Sequence, residues 1–167
     1  MTGGGGRTSL LAAFGLLAAL ASPPAGAAKP CWADGRSSDS AEIATVLARY
    51  AHHADAKDDA AFVGLFTEDG VWDLEGTGRF AGAEAIRGFF SKIPGGSRHV
   101  TSNFMIDVAT DGTARARSYV VLMGLEEGRP VVRGAGTYED ELVRLGCTWK
   151  IRSRRFTAWK SPPPPAP

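Results

Sequence analysis

An α+β domain, a curved antiparallel sheet packed on three N-terminal helices, is what this sequence predicts. Three observations carry the prediction. Helical periodicity is confined to residues 39–93, long alternating strands follow from residue 98, and 167 residues leave room for one core. The helices carry apolar stripes that can be buried only on one face of the sheet. A sheet that curls around them encloses a pocket.

The first helix is read from Asp39 to Ala56. Asp39-Ser40-Ala41-Glu42 fits a capping box with Asp39 as N-cap, and Ile43, Val46, Leu47, Tyr50, Ala51 and Ala54 recur at helical spacing. A second helix is expected over Asp59–Phe66, a turn at Glu68-Asp69-Gly70, and a short strand over Val71–Leu74. Gly76 and Gly78 mark a tight return through Arg79-Phe80. The third helix is predicted over Ala83–Ile93 and stops at Pro94-Gly95-Gly96. Arg98–Ala109 alternates, with Val100, Phe104, Ile106 and Val108 in the apolar phase and His99, Thr101 and Asn103 in the other. Asp111-Gly112 makes a hairpin turn into Ala114–Leu125, and Val131–Arg144 with Thr148–Thr157 forms the last hairpin.

Residues 1–28 read as a secretory signal. Arg7 supplies positive charge, Leu10 to Ala21 is apolar throughout, Ser22-Pro23-Pro24 breaks the helix, and Ala25-Gly26-Ala27 is a small-x-small cleavage pattern. The apolar run is shorter than the roughly 20 residues of a membrane span. The expectation is an exported chain, periplasmic or secreted, that keeps no membrane partner after cleavage. It would consist of an arm at 29–38, the domain at 39–158 and a proline-rich tail at 159–167. Both cysteines, Cys31 and Cys147, stay in that mature chain. An oxidising compartment permits a disulfide between them, and two unrelated thiols are the alternative.

Formal net charge is +1, which provides no field for nucleic acid. The Lys150, Arg152, Arg154 and Arg155 cluster raises that question, but interleaved base-stacking motifs are missing. No phosphate-binding loop, Gly-x-Ser-x-Gly, zinc or nicotinamide signature occurs, so no cofactor is expected.

Several segments together resemble a known family. Tyr50, Asp55, Phe66-Thr67-Glu68-Asp69-Gly70-Val71-Trp72 and Gly76 to Glu84 look like the opening of SnoaL-like domains. Arg98 to Asn103, Gly136-Thr137-Tyr138 and Trp149-Lys150 continue the pattern in order. The resemblance covers about residues 39–156. It implies the cone-shaped fold of the nuclear transport factor 2-like superfamily and, commonly, a homodimer formed through the open sheet face. That fold hosts dehydratases, dehydrohalogenases, isomerases, cyclases and binders without catalysis. The pattern is most similar to the hexachlorocyclohexane dehydrochlorinase and scytalone dehydratase branch. There an aspartate ending the first helix and a histidine opening the third strand form a catalytic dyad, implying Asp55 and His99 here. The dehydrochlorinase pattern also places an arginine at Arg154. It has a lysine where Tyr50 stands, and the second strand histidine of scytalone dehydratase has no counterpart in this chain.

Chemistry can be weighed residue by residue. A neutral imidazole is a competent base near neutral pH, and a carboxylate on its other nitrogen fixes the tautomer. Asp55 lies roughly 110° from the centre of the apolar stripe, at the border of the buried face. The competing reading of His99 is a strand histidine bonded to a structural acid. His52 and His53 diverge by about 100° and make a poor chelate, so no metal is expected. Tyr50 could donate a hydroxyl into a pocket or serve as a core aromatic. Trp72, Phe89, Phe90, Phe104 and Met105 could line a cavity or simply pack. Arg154 shares strand parity with Lys150 and Arg152, so a regular strand sends it to solvent unless a bulge intervenes.

Two functions fit. One is a cofactor-independent lyase or isomerase in which His99 takes a proton from a small apolar substrate, Asp55 orients it, and Tyr50 or Asn103 stabilises the developing charge. Trp72 and Arg154 complete the expected substrate contacts. The other is a small-molecule-binding or dimerisation module without catalysis.

Overall fold

The computed structural model describes Met1 and residues 38–160. The expected signal, Cys31 with its proposed pairing to Cys147, and the tail from Ser161 onward lie outside the described residues. Three helices, α1 (Asp39–Ala56), α2 (Asp59–Val63) and α3 (Ala83–Phe90), pack on a six-stranded sheet. Its strands are β1 (Phe66–Leu74), β2 (Gly78–Ala81), β3 (Arg98–Val108), β4 (Thr113–Glu126), β5 (Arg129–Leu145) and β6 (Thr148–Ala158). Their spatial order is β2-β1-β6-β5-β4-β3.

The sheet is curved and mixed rather than wholly antiparallel, because β1 and β6 run parallel. After the β1–β2 hairpin, α3 carries the chain to the far edge, and the β3–β6 meander walks back to β1. Bulges interrupt the pairing between Phe66 and Val71, between Ser102 and Met105, and between Glu141 and Leu142. Each adds local bend and twist. Glu68-Asp69-Gly70 is thus an irregularity inside β1 and not a turn before it. Phe66 likewise leaves α2 to begin β1, and α3 closes after Phe90 with a short run of tighter turns to Ile93.

The expected capping box does not form. Ser38 is the N-cap, without a side-chain bond, and Asp39 opens the helix. The Asp39 carboxylate accepts from Trp149 Nε1 at 3.1 Å and pairs with Arg144. The β5–β6 hairpin reaches the start of α1, and its donors take the carboxylate. At the other end of α1, Lys57 adopts φ 55°. Its N–H donates to the Ala54 carbonyl and that of Asp58 donates to the His53 carbonyl, which is a Schellman closure. Asp58 then caps α2 through Ala61 N at 3.0 Å. The two stops leave Asp55 in the last turn of α1.

The core fills the space between helices and sheet with Ile43, Leu47, Tyr50, Phe62, Ile86, Val120, Leu142 and Ile151, all at most 2% exposed. Phe62 stacks on Phe90 with centroids 3.9 Å apart. A charged pair lies inside this apolar layer. Asp140 pairs across the sheet with Arg154, whose Nε and Nη2 donate to its two carboxylate oxygens at 2.6 and 2.9 Å. Burial opposes the Arg154 charge, yet the adjacent Asp140 carboxylate outweighs it and raises the Arg154 pKa. Removing one member of such a pair strands a buried charge. We predict that Asp140→Ala lowers unfolding free energy in urea by about 3–5 kcal/mol. Asp140→Leu combined with Arg154→Met should recover most of the loss, because no lone charge remains.

Candidate active-site pocket

His99 and Asp55, 44 positions apart in sequence, meet where the end of α1 crosses the start of β3. His99 Nδ1 lies 2.6 Å from Asp55 Oδ1, and the backbone N–H of His99 bonds both carboxylate oxygens at 3.1 Å. A carboxylate can only accept, so Nδ1 carries the proton and Nε2 is the basic nitrogen. Each side chain is 15% exposed. Both are partly buried, and both line one pocket.

That pocket has a volume of about 250 Å³. Besides the pair it is lined by Tyr50, Trp72, Leu74, Phe90, Leu122, Tyr138 and Phe156, with the 93–97 segment and Lys57 at one side. Gly136 allows the Phe156 ring to lie across β5, since a Cβ there would meet that ring at 2.4 Å. Lys57 Nζ donates to the Phe90 carbonyl at 2.5 Å and sits 3.9 Å from the Phe90 ring centroid, holding α3 against the end of α1.

Tyr50 and Trp72 line the pocket as expected. The Tyr50 ring meets His99 edge-on, with centroids 6.1 Å apart. The indole N–H of Trp72 is buried with no hydrogen-bond partner among the described residues. Arg154 stands behind the pocket and not in its wall. The bulge between Glu141 and Leu142 skips Arg152, reverses the parity of β6, and turns Arg154 inward to 1% exposure. Its guanidinium lies 3.9 Å from the Tyr50 ring centroid and 4.3 Å from that of Tyr138.

Asn103 is a correction. It occupies the bulge between Ser102 and Met105 with φ 56°, is exposed, and does not line the pocket. The same bulge, together with the edge position of β3, leaves Val100, Phe104 and Met105 exposed at 48%, 38% and 66%. Of the apolar phase assigned to this strand, Ile106 beyond the bulge packs against the core while Val100 and Phe104 stay exposed, and neither Phe104 nor Met105 lines the cavity.

Tyr138, Asp140 and Lys57 escaped the sequence reading of the site. A signal for two of them existed, because Tyr138, Asp140 and Leu142 share one strand phase, and a carboxylate in an apolar phase needs a buried cation. Burial raises the pKa of Tyr50, with the Arg154 charge and the Tyr138 hydroxyl pulling the other way. Burial also drives the pKa of Tyr138 well up, and its contact with Tyr50 adds to the rise. Both phenols are thus held protonated.

A broader depression of about 750 Å³ lies on the outer sheet face. Its rungs alternate in charge: Arg117, Glu139, Arg155, Asp73 and Arg79 are successive cross-strand neighbours. Its lining includes no histidine.

Comparison with known proteins agrees with this fold. Among curated proteins no relative matches the chain. A solved protein of unknown function from Mycobacterium tuberculosis is 27% identical, with a TM-score of 0.67 over 72% of each chain. A protein from Novosphingobium aromaticivorans, named provisionally as an aromatic ring hydroxylase, is 30% identical, with a TM-score of 0.65 over 74% of this chain and 90% of that one. A provisionally named scytalone dehydratase from the same organism shares the fold at 22% identity, with a TM-score of 0.64 over 72% of this chain and 84% of its own. The SnoaL-like domain model matches residues 35–155, and the chain belongs to the SnoaL-like family.

Proposed function

We propose that this protein is an exported, cofactor-independent lyase or isomerase that begins its reaction by proton abstraction at His99. The observation that carries the reading is the 2.6 Å contact between His99 Nδ1 and Asp55 Oδ1 at the wall of a 250 Å³ pocket. The carboxylate stabilises the imidazolium that forms and holds Nε2 as the base. The pocket is just below the usual range of ligand cavities, which run from about 300 Å³ upward, and its wall is largely aromatic and aliphatic. A small, mostly apolar molecule suits it. Tyr50, protonated through the neutral range, is the charge-stabilising donor, and the unpaired Trp72 N–H offers a second polar contact.

A homodimer through the outer sheet face is part of the proposal. An in-plane two-fold axis between β5 and β6 would set Arg155 against the partner subunit's Glu139 and Asp73 against the partner subunit's Arg117, so the four central charges of the rung are complementary. Exposed Val100, Tyr119 and Trp159 on the same face would add apolar contact.

Three outcomes check these readings. His99→Ala should abolish turnover on any substrate found by screening cyclic carbonyl and hydroxy compounds, and Asp55→Asn should lower kcat by about 100-fold or more. Ligand binding that survives His99→Ala, with no turnover by the wild type on any compound, would favour the binding-module reading. In alkaline titration the raised tyrosine pKa values leave stability intact below the ordinary value of 10.0 and remove it as pH rises toward the folded values. The phenolate absorbance of Tyr50 and Tyr138 should therefore appear only with unfolding, as difference spectra against Tyr50→Phe and Tyr138→Phe would show. By light scattering, Arg155→Glu should shift the dimer toward monomer, and adding Glu139→Arg should restore it.

A further inference from the structure

Apart from the histidine, Lys57 is the only basic side chain in the pocket wall, and it forms no ion pair among the described residues. The other charged group of that wall, Asp55, is committed to His99. Lys57 closes α1 at φ 55°, a left-handed conformation in which a side chain costs more than glycine would. Its stem runs beside the 93–97 segment, where a Cβ on Gly95 would lie 3.4 Å from Lys57 Cγ. The half-buried ammonium uses one donor on the Phe90 carbonyl, and an ammonium has three. Unused backbone donors lie in the same stretch of wall. The N–H groups of Gly95, Gly96 and Ser97 meet no acceptor among the described residues, and all three residues line the pocket. Lys57 follows Asp55 by two positions and Ser97 precedes His99 by two, so these donors flank the histidine–carboxylate pair on both elements. Pro94, Gly95 and Gly96 are exposed, which makes this end the pocket mouth. Arg98 beside it turns to the carbonyls of Asp55 and Ser97 and stays out of the wall.

We infer that Lys57, with the N–H groups of residues 95–97, is a carboxylate-binding subsite, and that the substrate is a small organic acid whose apolar body fills the aromatic part of the pocket. This rests on the pocket being the substrate site proposed above. An acid that enters body first leaves its charged end at the mouth, where desolvation is least and the ammonium meets it. Its apolar body then lies among Trp72, Phe90, Leu122 and Phe156. Holding the acid at one end decides which carbon is presented to His99 Nε2, so Lys57 acts on substrate choice and orientation. A halide leaving group would use the same cation, and the two are separated by experiment.

The probes are benzoate and its neutral counterpart benzamide, titrated by calorimetry at neutral pH. Wild type should bind benzoate about tenfold or more tighter than benzamide, the ratio expected of hydrogen bonds to a charged group. The amide NMR signals of Gly95, Gly96 and Ser97 should move on benzoate titration. Lys57→Gln keeps a donor for the Phe90 carbonyl without the charge. It should bring benzoate within about twofold of benzamide and leave benzamide affinity within about twofold of wild type. Lys57→Arg should recover most of the preference, and His99→Ala should keep it. Circular dichroism checks that each variant is folded, and if Lys57→Gln is not, the wild-type preference and the amide shifts still decide. Absent benzoate binding, no preference over benzamide, an unmoved 95–97 segment, or a preference that survives in Lys57→Gln would overturn the proposal. So would loss of the preference in His99→Ala, which would assign the anion to the imidazolium. Displacement of benzoate by chloride but not by sulfate at equal ionic strength would assign Lys57 to a departing halide and overturn it too. Failure of the histidine reading looks different: turnover of an acid substrate would persist in His99→Ala while Lys57→Gln still loses the benzoate preference.

Discussion

One carboxylate ties the helical layer to the edge of the sheet and creates the candidate site in doing so. Asp55 sits in the last turn of α1, held there by the Schellman closure at Lys57, and accepts from both the backbone and the ring of His99. The backbone bonds fix where β3 begins, and the ring bond fixes which nitrogen of His99 is basic. Structure and chemistry therefore share one contact. One residue inserted in α1 before Asp55 would rotate the carboxylate by about 100° and lose both.

Behind that contact lies a buried polar strip inside an aromatic core. Asp140 and Arg154 cost desolvation, and a hydrophobic pair of similar volume could serve stability as well. Their retention is understandable if they do something for the phenols they support. The guanidinium packs against both tyrosine rings, so its charge biases the hydroxyls without appearing in the pocket. A cavity with a largely apolar wall, with His99, the two phenols and Lys57 in its lining, follows from this arrangement.

Much of this was legible in the sequence wherever periodicity was regular. The stripe of α1, the β4 to β6 meander and the meeting of Asp55 with His99 were all expected, the last through family resemblance. What escaped prediction sits at bulges, which leave no periodic trace. A bulge carries Asn103 away from the pocket, and another returns Arg154 to the interior against the parity of Lys150 and Arg152. The N-cap was misplaced because the competing partners of Asp39, Trp149 and Arg144, arrive from more than a hundred residues away. Tyr138 stood within the recognised motif, yet its place beside Tyr50 depends on strand register, which a sequence pattern does not specify.

The central claim, that Asp55 holds His99 with Nε2 as a base facing the pocket, is open to direct measurement by nitrogen-15 NMR of the imidazole side chains. The chain has 3 histidines, and comparison with His99→Ala assigns the signal. The account predicts a neutral ring protonated at Nδ1 with a bare Nε2, and a change in that pattern in Asp55→Asn. A ring protonated at Nε2 with a bare Nδ1, or a spectrum indifferent to Asp55→Asn, would contradict it.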